Sequence, residues 1–101
     1  MWPDSKVLSL SEGTVTKLGY TYGDDLSFRY VEVTDSSKHR IRYFYIKPEV
    51  RMGEQISKDQ LLGVAQDLRA RYKGITPHVH LEVTSPEGHY INPEEYFEER
   101  S

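Results

Sequence analysis

The chain contains no cysteine. That excludes disulfides, thiolate zinc sites and cysteine nucleophiles together. It leaves the compartment open, because a cysteine-free chain suits a bacterial envelope or a phage particle as well as a cytosol. No apolar run is long enough to cross a bilayer. No block of Lys and Arg occurs and the formal net charge is only −3, so the footprint of a nucleic-acid binder is missing. Met1 to Ser5 is polar and carries no signal-peptide apolar region, so a secretion signal would lie outside this chain. Hydrophobic residues make up 37%, but eight Tyr, three Phe and one Trp supply large buried area per residue. The 101 residues fit a single domain, 1–101.

What is present is alternation among β-formers. Lys6 to Leu10 reads as a short strand and Gly13 to Tyr20 as a second. After the turn signal Gly23-Asp24-Asp25, Leu26 to Thr34 forms a third, with Phe28, Tyr30 and Glu32 on one face and Val31 and Val33 on the other. Asp35 to Lys38 is a polar turn, and His39 to Lys47 follows as a long aromatic strand ended by Pro48. Gly53 to Ala65 holds two short strands around a tight turn, Asp67 to Thr76 is a polar, Arg-rich connection, and Pro77 to Thr84 is a strong strand. Asn92 reads as the N-cap of a short helix, with Pro93 at its first position and acids in the first turn. Many short strands with regular turns predict an all-β sandwich or barrel-like domain.

The chemistry-bearing motif is His78-Val79-His80. Residues two apart on a strand share a face, so both imidazoles and Glu82 project one way while Val79, Leu81 and Val83 point to the core. Two imidazoles on one face are a start on a metal site, but an isolated His-x-His is more often a pair of surface histidines. Catalytic zinc takes three protein ligands and an open position, and neither His39 nor His89 has a carboxylate at ligand spacing. The strand with Tyr43, Phe44 and Tyr45 reads first as core and surface aromatics, and second as a lining for a peptide groove. Lys38 at a hairpin tip lacks the setting of a modifiable carrier lysine.

Ile75 to Val83, Gly88 to Pro93 and Tyr96-Phe97 resemble the C-terminal end of the lysostaphin/LytM metallopeptidase family. Gly13-Thr14-Val15 is similar to that family's early strand, and Gly53 to Gly63 to its glycine-punctuated segment, with Asp59 in place of the middle glycine. Asp tolerates the left-handed conformation that such a position uses. The resemblance, from about Lys6 to Phe97, implies an all-β, antiparallel LytM-like (duplicated hybrid motif) domain of two sheets packed with a groove between them and a short C-terminal helix, and a zinc hydrolase of peptide cross-bridges in bacterial cell walls. It makes His80 the metal ligand and His78 the catalytic helper, and places Arg71, with Arg69 and Lys73, in a loop bordering the groove.

Two departures set the expectation. The family's His-x-x-x-Asp ligand pair would fall upstream of Met1. Tyr45 stands where the Tyr-x-His-Leu segment has its catalytic histidine, a change shared with leukocyte cell-derived chemotaxin, a non-cutting relative that the Phe44 to Pro48 stretch also resembles. A phenol can donate a hydrogen bond to an oxyanion but is a poor base at neutral pH. The expectation is therefore a degenerate, non-hydrolytic binding module. Its vestigial catalytic residues are His78 and Tyr45, its metal-type residue is His80, and its groove residues are Tyr43 and Arg71. No cofactor is expected, or zinc if ligands come from elsewhere. The partner is a protein or a cell-wall peptide or glycan, a homodimer could form at an exposed sheet edge, and an extracellular, envelope or phage location is favoured. The alternative is a zinc endopeptidase whose missing ligands lie upstream or on a partner chain.

Overall fold

The computed structural model describes residues 5–21, 23, 28–66 and 80–100, with side chains up to 97. The strands are β1 (Lys6–Leu8), β2 (Gly13–Tyr20), β3 (Arg29–Thr34), β4 (Arg40–Phe44), β5 (Ile46–Pro48), β6 (Gln55–Ile56), β7 (Leu61–Ala65), β8 (His80–Thr84) and β9 (Tyr90–Ile91), followed by helix α1 (Pro93–Arg100). They form a large sheet in the order β6-β2-β3-β4-β8-β9 and a small one in the order β1-β7-β5, every pair antiparallel.

Period-two alternation builds the core. On the inner face of the large sheet Val15 pairs with Val33, Val33 with Ile41, Ile41 with Val83, and Tyr43 with both Val31 and Leu81. Val7, Ile46, Leu62 and Ala65 come from the small sheet, and the two inner faces share one core with Tyr96 of α1. Full burial of a Val, Leu or Ile side chain stabilises by about 1.5–3 kcal/mol each, so this seam holds the sheets together. The small sheet closes tightly: a Cβ on Gly63 would come within 2.1 Å of the Lys47 carbonyl oxygen, so only glycine fits beside β5.

Several expected elements change shape. The strand expected from His39 to Lys47 is two strands in two different sheets, β4 in the large and β5 in the small. The break is Tyr45, at φ 66°. Its N–H donates to the Arg29 carbonyl and its own carbonyl accepts from the Gln66 N–H, each at 2.9 Å. The corner is thus fixed from both sides, and alternation alone gave no sign of it. Likewise β6 and β7, expected as two strands around one turn, lie in different sheets. Asp59 between them adopts φ 69°, the left-handed conformation expected at that position. The third strand starts at Arg29 and the last long one is described from His80; Leu26, Pro77, His78 and Val79 lie outside the described residues, as does the Asp67 to Thr76 connection. Helix α1 begins as expected: the Asn92 Oδ1 accepts the Glu94 N–H at 2.9 Å, with Pro93 at the first position and Glu94 and Glu95 in the first turn.

Candidate functional site

The outer face of the large sheet carries the residues out of phase with the core. Cross-strand register sets them in rows. Tyr30, Phe44 and His80 form one row across β3, β4 and β8, Glu32, Arg42 and Glu82 the next, and Thr34, Arg40 and Thr84 a third. Successive rows are two residues apart along the strands, roughly 6.7 Å.

In the first row the Tyr30 and Phe44 ring centroids are 5.0 Å apart and those of Phe44 and His80 5.7 Å. Exposure rises along it: Tyr30 is buried, Phe44 half-buried, and the His80 side chain 53% exposed. Tyr30 lies over Gly19, where a Cβ would sit 2.4 Å from the ring. The Arg42 guanidinium stands 5.8 Å and the Lys17 ammonium 5.9 Å from the Tyr30 ring centroid, within cation–π range. Tyr45, at the end of β4, sets its ring edge-on to Phe28, with centroids 6.0 Å apart.

The second row is an ion pair on a nearly buried base. Arg42 Nε donates to Glu32 Oε2 at 2.8 Å, and the Thr16 hydroxyl donates to Glu32 Oε1 at 2.7 Å. Burial pushes the Glu32 carboxyl up, but the hydrogen bonds from Arg42 and Thr16, with the charges of Arg42 and Arg40, outweigh it and hold the group below the usual carboxylate range. The Arg42 guanidinium is stabilised as a cation, first by its hydrogen bond to Glu32. Glu32 is therefore an ionised carboxylate with its lone pairs engaged.

His80 and Glu82 share a face as the His-x-His pattern required, with His80 Nε2 at 3.4 Å from Glu82 Oε2, a long contact. His78 and Arg71 lie outside the described residues. Among the described residues no three His, Cys, Asp or Glu side chains converge as a metal set. His80 has one adjacent carboxylate, Glu82, and the next, Glu32, is held by Arg42. These residues alone do not fit a zinc centre, which takes three protein ligands.

Tyr43 is a correction. It does not line the groove. Its inward register leaves it 1% exposed, and its hydroxyl accepts the Leu10 N–H at 3.0 Å. Burial pushes the phenol up despite the Leu10 N–H and the Ser9 hydroxyl beside it, so it stays protonated. It shares a strand with Phe44 but has the opposite parity, which is where the expectation failed.

Sequence reasoning also missed a polar clip at the other end of the molecule. Asp35, 3% exposed, accepts the Ser37 N–H at 3.0 Å, the Ser37 hydroxyl at 2.9 Å, the His39 N–H at 3.0 Å and the Tyr96 hydroxyl. The His39 ring stacks on Tyr96 with centroids 4.7 Å apart. Burial raises the Asp35 carboxyl, and these hydrogen bonds, the one from Tyr96 foremost, bring it below its ordinary value. The clip ties the β3–β4 hairpin to α1. The readable signal was an Asp two residues before a Ser at a turn.

Two antiparallel sheets, this strand order and the closing helix define the class: the chain has the LytM-type peptidase fold. Among solved structures it is similar to lysostaphin in solution, at TM-score 0.78 and 18% identity over 98% of this chain and 40% of that one. It is also similar to the catalytic domain of the antimicrobial peptidase lysostaphin from Staphylococcus simulans, at TM-score 0.75, 18% identity, and 97% and 74% coverage. A third similar structure is a mutant catalytic domain of the prophage-encoded M23 protein EnpA from Enterococcus faecalis, at TM-score 0.72, 18% identity, and 95% and 72% coverage. The chain thus spans 40% of the length of whole lysostaphin. No family model and no curated protein matches the sequence. The further likeness to leukocyte cell-derived chemotaxin at Tyr45 finds no support in these matches. Among the described residues no helix is long and apolar enough to cross a membrane.

Proposed function

We propose that this chain, as a single domain, is a non-hydrolytic binding module on a LytM-type fold, and that its ligand lies on the His80 end of the large sheet. The observation that carries the reading is the Tyr30–Phe44–His80 row. It offers one exposed imidazole on an aromatic floor, while the nearest embedded carboxylate, Glu32, is spent in an ion pair. An aromatic floor with cationic and carboxylate edges suits an extended peptide: rings take its apolar surface, and Arg42, Glu82 and His80 orient its polar groups. In this reading Tyr45 at the row's end replaces a base with a hydrogen-bond donor; the roles of His78 and Arg71, outside the described residues, rest on the sequence alone. A peptide of a protein or of a bacterial cell wall is the partner, and an extracellular, envelope or phage setting follows from it. The similar structures, an antimicrobial peptidase and a prophage-encoded protein, agree with that setting.

One observation favours a second reading. The fold is that of peptidase domains, and the His80 imidazole is exposed. With further ligands from upstream or from a partner chain, His80 would be one ligand of a zinc endopeptidase. The deciding measurement is zinc content and affinity of the chain and of His80→Ala, together with cleavage of a pentaglycine peptide. The binding reading expects weak zinc binding that the substitution barely changes, and no cleavage. Stoichiometric zinc lost in His80→Ala, with peptide hydrolysis, would overturn it.

A further inference from the structure

The far end of the same sheet face is a hollow that the His80 row does not reach. A cleft of about 540 Å³ opens there, with Glu12, Thr14, Thr34, Lys38, Gln55 and Ser57 among its lining residues. Thr34 pairs with Thr14 on one side and Arg40 on the other, and Arg40 is four residues along β4 from Phe44, the partner of His80. At about 3.3 Å per residue the cleft lies roughly 13 Å from the aromatic row, with the Glu32–Arg42 pair between them. A second hollow of about 430 Å³ adjoins it through Glu12, Asp35 and Ser36, and is walled by Leu10 and Phe97.

The lining selects a ligand class. Among the described residues, a phosphate or other anion would meet one lysine, Lys38, with the carboxylates of Glu12 and Asp35 in the same cleft. Among the same described residues, an apolar ligand would find only Ile56, which is 3% exposed. What the cleft offers is Thr14, Ser36, Gln55 and Ser57, whose side chains make no hydrogen bond to another described residue. Hydroxyls and a primary amide both donate and accept, which matches the hydroxyls of a sugar better than the fixed polarity of an ion. Phe97 and Leu10 next door give the apolar patch on which the C–H face of a sugar ring packs. We infer that this cleft binds a neutral oligosaccharide, seated on Thr14, Gln55 and Ser57 and running toward Phe97. The inference goes beyond the reading of the His80 row and does not depend on whether that row binds or cuts peptides.

The test titrates the full chain with a tetramer of N-acetylglucosamine, a tetramer of glucose, and pentaglycine, followed by calorimetry and backbone amide shifts. The expected result is that at least one tetrasaccharide binds and moves the amides of Thr14, Gln55 and Ser57. Thr14→Val with Gln55→Ala then weakens it about tenfold, since two hydrogen bonds are lost, while Phe44→Ala leaves it unchanged. Gln55→Ala alone, on an exposed side chain, serves if the double variant folds poorly. The inference is overturned if neither tetrasaccharide binds at millimolar concentration, if binding is lost in Phe44→Ala and kept in the cleft variants, or if only pentaglycine shifts the cleft amides. Pentaglycine shifting only the Phe44 and His80 amides beside a sugar in the cleft supports both readings separately.

Discussion

Replacing Arg42 by Met tests the electrostatics of the sheet face most directly. The substitution keeps an unbranched apolar stem and removes the guanidinium, which donates to Glu32 at 2.8 Å and stands 5.8 Å from the Tyr30 ring centroid. Removing one partner of a fully buried pair costs about 3–5 kcal/mol, because the other charge is left without compensation. Here the Arg42 side chain is 28% exposed and that of Glu32 7%, and Glu32 keeps the Thr16 hydroxyl and the Arg40 charge. The cost then falls to about 2 kcal/mol, a drop in Tm on the order of 10 °C for a domain this size. The pH dependence has a definite sign. In the native protein Glu32 titrates below its unfolded value, so its contribution is present above the unfolded carboxylate pKa and is lost as pH falls through the depressed folded one. Without Arg42 the ionised form loses its main partner, so the gap between Arg42→Met and the native protein narrows from pH 7 toward pH 4. Urea unfolding at both pH values measures it, and adding Glu32→Gln should recover at least half the loss. A variant within about 0.5 kcal/mol of native at pH 7, a gap that does not narrow in acid, or a double variant no better than the single would refute the reasoning.

Tyr43→Phe leaves the ring in the core and strips the Leu10 N–H of its acceptor; urea unfolding should show a loss of about 1 kcal/mol, and an unchanged midpoint would mean that this bond contributes nothing. Tyr96→Phe removes one of four hydrogen bonds holding the Asp35 carboxylate and should cost about 1–2 kcal/mol at pH 7. Since Asp35 titrates below its ordinary value, that cost should shrink as pH falls through its depressed folded value, and a cost that persists in strong acid would point to lost packing instead.

How much of this was legible follows from what each residue depends on. Parity along a strand is local, so the inner set of Val31, Val33, Leu81 and Val83 and the outer pair His80 and Glu82 could be read from spacing. The Asn92 cap and the left-handed Asp59 were readable too, since each rests on its own side chain and backbone. Tyr43 was misplaced because an aromatic next to Phe44 was read by type when parity should have decided. The Asp35–Tyr96 clip joins residues 61 positions apart, and no local pattern reports such a pairing. The order of strands, with β4 and β5 in separate sheets, depends on backbone partners at Arg29 and Gln66 that alternation cannot name.

Tyr45 is where these levels meet. A left-handed residue bearing a Cβ costs roughly 1–2 kcal/mol, and glycine or asparagine would occupy the position more cheaply. The backbone bonds to Arg29 and Gln66 demand the corner but not the phenol ring. Part of the cost is offset by the edge-on contact with Phe28, which is buried, and by the nearby Phe44 ring, 6.5 Å away between centroids. Such a contact contributes about 0.5–1.5 kcal/mol, comparable with the cost of the left-handed backbone. The corner that moves the chain from one sheet to the other also sets the end of the Tyr30–Phe44–His80 row.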